Sequence, residues 1–236
     1  MDDDNTSAFQ RMESEALFSV LRESQRLGFI GATVAVEDHV AHASGFVSAF
    51  QAATKPAATP SRLIDLGSGG GLPGLVLAIA WPDCDVWLID AIQKRVEFLD
   101  GVIQQLGIGG HVHARHGRAE ELARDPHLRG TADLVVARSF GPPAVTAECS
   151  VGFLSVDGRL IVSEPPGDKA NYQDEPVGPD GPDRPAGSRW DYPTELGELG
   201  MVGAARIGGF QVLEQREPCP ERYPRRVGIP SKRPLF

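Results

Sequence analysis

Apolar residues first recur at helical spacing, with Ala16, Leu17, Val20, Leu21 and Leu27 on one face and Gly28 offering a stop. The rhythm returns over about Val34 to Ala52, where Val36, Val40, Ala43, Val47 and Phe50 share a face, so the chain opens with two helices. From Arg62 the pattern changes, and short apolar runs alternate with helical stretches. The runs Leu63–Leu66, Val86–Ile89, Asp133–Ala137 and Arg159–Ser163 read as strands, with a shorter, polar one at His111–His116. Between them lie the helices Leu72–Ala80, Lys94–Leu106 ending at Gly107, a brief Ala119–Arg124, and one near Pro143–Leu154. Trp190 to Leu199 predicts a short helix, and Gly200–Ile207 with Phe210–Glu214 a closing antiparallel pair. Strands alternating with helices specify an α/β domain whose sheet is mainly parallel with right-handed crossovers. At 236 residues the chain fits one such domain, 56–236, behind an N-terminal helical extension, 1–55, with a polar linker from Lys55-Pro56 to Pro60.

Composition narrows the class. No apolar run approaches the ~18 residues needed to span a bilayer, and the start Met1-Asp2-Asp3-Asp4-Asn5 is acidic where a secretion signal is basic. The expectation is a cytoplasmic protein without a membrane partner. Cys84, Cys149 and Cys219 are odd in number and widely spaced, which suggests neither a disulfide framework nor a zinc site. His39 and His42 stand one helical turn apart without an evident third ligand. In an extended strand His111 and His113 share a face while His116 points away, so no metal is expected at either group. The net charge of −9 argues against indiscriminate binding to nucleic acid, whose affinity comes mainly from phosphate neutralisation. Any nucleic-acid role requires a local basic patch.

The most informative stretch is Ile64 to Gly74, I-D-L-G-S-G-G-G-L-P-G, a strand entering a tight turn and then a helix. Five successive small residues, Gly67, Ser68, Gly69, Gly70 and Gly71, let a ligand approach the main chain closely. Pro73 suits a first helical turn, and a helix start favours an anionic group. A glycine-rich loop alone also serves dinucleotides, or merely lets strand and helix pack. Asp65, two residues before the first glycine, gives D-x-G-x-G-x-G, the pattern of class I S-adenosylmethionine-dependent methyltransferases. Asp90 ends the next apolar run about twenty residues on, placed to accept both ribose hydroxyls of a nucleoside cofactor. The fold class is therefore a Rossmann-like α/β methyltransferase domain, with ligands at the carboxyl ends of its strands, where Asp65–Gly71, Asp90, Ala119-Glu120 and Arg138-Ser139 all fall.

Two further segments bear on the acceptor. Pro165 to Gly187 carries ten prolines and glycines in 23 positions, and within 164–190 the composition predicts a mobile loop, either a lid over the substrate or an insertion without function. The segment 216–236 is locally basic: Arg216, Arg222, Arg225, Arg226, Lys232 and Arg233 face only Glu217 and Glu221. A basic tail is often simply solvated, but prolines holding it extended also suit contacts to RNA phosphates.

The glycine block together with D-A-x-x-K-R-x-x-F-L (Asp90 to Leu99), R-A-E-E-L (Arg118 to Leu122), A-R-S-F (Ala137 to Phe140) and the terminal Y-P-R-R-V-G-I-P-S-K-R-P-L resembles the ribosomal RNA small subunit methyltransferase G family, also called glucose-inhibited division protein B. The resemblance implies a methyltransferase that uses S-adenosylmethionine to methylate guanine N7 in 16S ribosomal RNA, with the RNA or the 30S subunit as partner. By motif, Gly67 and Leu72 would line the methionine side, Asp90 the ribose, and Ala119 with Glu120 the adenine. Arg138 would lie beside the cofactor and the incoming base, as the catalytic candidate. The candidate cofactor residues are Asp65, Gly67, Ser68, Gly69, Gly71, Leu72, Asp90, Ala91, Ala119, Glu120 and Arg138. Arg138 has an alternative role as an ion-pair partner of Asp65 or of the cofactor carboxylate. Glu164, Arg225, Arg226 and Lys232 are the candidate substrate contacts. Family members usually carry a lysine and a small residue where this chain has Ser163-Glu164-Pro165. A carboxylate there keeps open a paralogue acting on a small molecule or a protein side chain, or a binding module without turnover. A dehydrogenase is disfavoured, because no hydride-transfer domain follows the nucleotide fold.

Overall fold

A computed structural model describes residues 14–54, 58–165 and 189–236. Two helices come first, α1 (Glu15–Arg26) and α2 (Val36–Ala53). Ser14 caps α1 by accepting from the Leu17 amide, and the chain leaves that helix through Gly28 at φ +74°. The α/β part then runs β1 (Arg62–Leu66), α3 (Gly74–Ala80), β2 (Asp85–Asp90), α4 (Gln93–Leu106), β3 (Val112–His116), α5 (Ala119–Leu122), β4 (Ala132–Ala137), α6 (Pro143–Val151), β5 (Leu154–Ser163), α7 (Pro193–Glu198), β6 (Met201–Ile207), β7 (Phe210–Gln215) and α8 (Ile229–Lys232).

The strands form one seven-stranded sheet in the order β3-β2-β1-β4-β5-β7-β6. The first five pair in parallel, and β7 is antiparallel to both β5 and β6. Alternate residues feed two cores. Leu63, Val86, Leu88, Leu134 and Val136 face α1 to α4, whereas Ile64, Leu66, Ile89, Val135 and Ala137 face α5, α6 and α7. The N-terminal helices belong to the first of these layers, since Leu17, Leu21, Phe46 and Phe50 lie in the same apolar cluster as the strand residues.

Boundaries differ from the sequence reading in a few places. The helix expected to reach Leu154 stops at Val151, because Leu154 is needed in the strand, where it pairs with Ala132 in a register that shifts before Leu134. His111 precedes β3, which is the edge strand. Pro73 sits at the cap of α3, and Gly74 is its first residue. The short α8 carries no periodic signal because four residues are too few to show one. Most of the Pro/Gly-rich stretch, 166–188, lies outside the described residues, as does 55–57 of the linker. No helix among the described residues is long and apolar enough to cross a membrane.

Candidate active site

The carboxyl ends of β1, β2, β3 and β4 meet around the glycine loop. Gly67 and Ser68 donate backbone hydrogen bonds to the Ile89 carbonyl, at 2.9 Å each, which ties the loop to the end of β2. Gly67 takes φ +74°, and a Cβ there would meet the Phe140 ring at 2.7 Å, so the residue has to be glycine on both counts. Asp90 fixes the loop from the other side. Its Oδ2 accepts from Gly69 N at 2.9 Å, its Oδ1 accepts from Ile92 N at 2.8 Å, and Arg95 lies 3.5 Å away. Each carboxylate oxygen keeps lone-pair capacity beyond these bonds.

A pocket opens beside this arrangement. Of the residues singled out from the sequence, Gly67, Asp90, Ala91, Ala119 and Glu120 line it. Ile89, Gly117, Arg118, Phe140, Val145, Cys149 and Ser231 complete the lining and were given no site role from the sequence. Phe140 stands in the quoted A-R-S-F motif, so a signal existed for it. Val145 and Cys149 sit on α6, and Ser231, within the terminal Y-P-R-R-V-G-I-P-S-K-R-P-L stretch, is brought to the pocket from the far end of the chain by tertiary contact. Glu120, 3 % exposed, accepts from Gly228 N at 2.9 Å, so the terminal segment forms one wall of the pocket.

On the opposite face of β1 lies a buried ionisable group. Asp65 is 1 % exposed; its Oδ2 accepts from Gly74 N at 2.9 Å, at the start of α3, and its Oδ1 has no hydrogen-bond partner. Burial raises its carboxyl to about 7, while the Gly74 amide and the Ser68 hydroxyl oppose the rise. Arg138 follows β4 and is half-buried. Its Nη2 contacts His39 Nδ1 at 2.7 Å, and its Nη1 is buried without a partner. Burial lowers the Arg138 pKa, and the charge of Asp65 opposes that. Among the described residues no ion pair joins Arg138 to Asp65. Ser68 donates its hydroxyl to the Asp65 carbonyl, Gly71 donates to the Ser68 carbonyl at 2.8 Å, and Leu72 is buried in the core next to the loop.

The candidate substrate contacts separate. Glu164 accepts from Trp190 Nε1 at 2.8 Å and lies 3.9 Å from Arg189, so this carboxylate meets the first two described residues after 166–188. Arg225 is held by Glu148. Arg226 and Lys232 are exposed on the segment that walls the pocket. The described residues include no group of three or more His, Cys, Asp or Glu side chains placed to hold a metal.

Comparison with known proteins agrees with this architecture. Two solved structures cover nearly the whole chain. A protein from Corynebacterium glutamicum aligns with TM-score 0.55 at 16% identity over 90% of this chain and 95% of its own. A candidate O-methyltransferase from Klebsiella pneumoniae aligns with TM-score 0.53 at 14% identity over 86% and 91%. At such identities they establish the fold alone, a Rossmann-like α/β domain. In sequence, the ribosomal RNA small subunit methyltransferase G of Streptococcus equi subsp. zooepidemicus is 34% identical over 179 residues, 75% of this chain and 70% of that protein. The protein of the same name from a Synechococcus species is 35% identical over 177 residues, 75% of this chain and 71% of that protein. The family model described as rRNA small subunit methyltransferase G matches residues 23–174, a span that includes His39, the glycine loop, Asp90, Glu120 and Arg138. With the family's model running through the helical layer and the pocket alike, the chain belongs to the rRNA small subunit methyltransferase G family.

Proposed function

We propose that this protein transfers a methyl group from S-adenosylmethionine to N7 of a guanine in 16S ribosomal RNA. The observation that carries the reading is the family match across residues 23–174 together with a pocket built from that match's own motifs.

The residues present fit the cofactor. Ile89, Ala119, Phe140, Val145 and Cys149 give an apolar lining suited to a flat base, and Asp90 stands where ribose hydroxyls can donate to it. Two buried atoms of opposite character, Asp65 Oδ1 and Arg138 Nη1, lack partners. An amino-acid end carries both an ammonium and a carboxylate, which such a pair can satisfy. When bound, S-adenosylmethionine supplies an electrophilic sulfonium methyl. Guanine N7 has a free lone pair and no proton to remove, so the protein has to align the reactants and needs no general base. Asp90 orients the ribose, the loop amides and Phe140 shape the wall, and Arg138 provides donors beside the reacting atoms.

For the RNA, the exposed cations Arg226, Lys232 and Arg233 lie on the segment that walls the pocket, suited to phosphates. Glu164, the residue that kept a small-molecule or protein acceptor open, is engaged by Trp190 and Arg189. The test is transfer of labelled methyl from S-adenosylmethionine to 30S particles and to 16S RNA by the purified protein, with the product nucleoside identified. Label in 7-methylguanosine is expected and should be lost in Arg138→Ala. Cofactor binding without label in either ribosomal substrate refutes the RNA reading and returns the search to protein and small-molecule acceptors.

A further inference from the structure

His39, on α2, meets Arg138 across 99 residues of sequence. A guanidinium only donates, so His39 Nδ1 accepts from Nη2 at 2.7 Å. The ring proton then resides on Nε2, which donates to the Gly31 carbonyl at 3.2 Å. The imidazole is thus neutral, fixed in one tautomer and held at both edges, and it is only 5 % exposed. His42, on the same helix, is also kept neutral by burial, reinforced by the positive charge of Arg138.

Arg138 and Asp65 present an electrostatic anomaly. Asp65 shares one site with the Arg138 guanidinium, and each has a buried atom lacking a hydrogen-bond partner. Once ionised, Asp65 attracts the guanidinium strongly away from water, yet no ion pair joins them among the described residues. His39 supplies the alternative partner. The helical layer also grips the loop, since Ser24 on α1 donates its buried hydroxyl to the Gly70 carbonyl at 2.9 Å. A Cβ on Gly70 would meet that hydroxyl at 2.1 Å.

We propose that His39 is a positioning residue: by accepting from Arg138 Nη2 it holds the guanidinium off Asp65 and leaves Arg138 Nη1 and Asp65 Oδ1 as two separate contacts for the amino-acid end of the cofactor. This rests on the cofactor reading above and assigns the N-terminal helical layer a part in binding. Without the acceptor, Arg138 turns to Asp65 and the two contacts cancel each other.

The experiment is calorimetric titration of the full chain with S-adenosylhomocysteine and with methylthioadenosine, which lacks the amino-acid end. His39→Leu keeps bulk without an acceptor and should bind S-adenosylhomocysteine about tenfold or more weakly. Its affinity for methylthioadenosine and its thermal midpoint should stay those of the wild type. His39→Gln restores an acceptor and should lie within about threefold of the wild type for both ligands. Equal loss for the two ligands, loss for neither, or a glutamine variant as weak as the leucine variant overturns the proposal. A wild type that binds neither ligand overturns the cofactor reading, and this inference with it. One that binds both but leaves 30S particles unmethylated overturns only the acceptor.

Discussion

Arg225 closes on Glu148 with both its main chain and its side chain. Its N and Nε lie 2.9 and 2.7 Å from Oε1, and Nη2 lies 2.5 Å from Oε2. Glu148 is fully buried on α6, beside Cys149 of the pocket lining. The pair anchors the terminal segment, and Arg124 and Arg129 add bonds to the carbonyls of Pro224 and Tyr223. Of two adjacent arginines, one therefore faces inward to a carboxylate and the other outward to solvent.

Removing Arg225 strands a buried carboxylate. Arg225→Ala should destabilise the fold by about 3–5 kcal/mol, read from urea unfolding. Arg225→Lys should recover only part of this, because an ammonium cannot reproduce the forked contact. A loss within about 1 kcal/mol for the alanine variant would show that the pair does not anchor the segment.

The outward cations predict a different outcome. Arg226→Gln, Lys232→Gln and Arg233→Gln should weaken binding to 16S RNA and shallow the salt dependence by about one charge each. Affinity for S-adenosylhomocysteine should not change. Filter binding across a salt series measures it, and an unchanged slope in the triple variant removes this segment from the RNA path.

Asp65 gives a pH signature. Its carboxyl is raised to about 7 by burial, whereas the unfolded chain ionises it near the ordinary ~3.9. The folded state holds the proton longer, so this group's contribution to stability is complete below the unfolded value and is lost as pH rises through about 7. Thermal scans of Asp65→Asn against the wild type should show a difference that moves in favour of the variant between roughly pH 4 and 7 and then levels off. A pH-independent difference would mean that Asp65 is ionised in the folded chain. An ammonium beside Asp65 favours its charged form, so S-adenosylhomocysteine should bind the wild type more tightly as pH rises through about 7, and this trend should be absent in the asparagine variant.

At Gly67 even a methyl group is too large. Gly67→Ala places a Cβ 2.7 Å from Phe140 at a φ of +74°, and the loop has to move. Calorimetry should show S-adenosylhomocysteine binding reduced by about a hundredfold or lost, with the circular dichroism of the fold retained. Binding within about threefold of the wild type would remove the loop from the cofactor site.

The sequence by itself determined the order of elements, the loop and the acid at each of two strand ends. These are local: Asp65 and Gly67 are set by a strand running into glycines, and Asp90 by the end of the next apolar run. A parallel sheet then brings strand ends to one edge, so the meeting of the glycine loop with Asp90 follows from chain order alone. What lies across the sheet did not follow. His39 reads as an ordinary histidine on an amphipathic helix until the fold sets α2 against the loop after β4. Arg225 and Glu164 read as substrate contacts because charge near a site suggests a ligand, and the structure gives each an intramolecular partner. Periodicity reports which face of an element is apolar and carries no information on which buried polar group meets which. Those pairings, and Ser231 in the pocket wall, were decided only by tertiary packing, where burial makes every unpaired polar atom costly and so selects the partner.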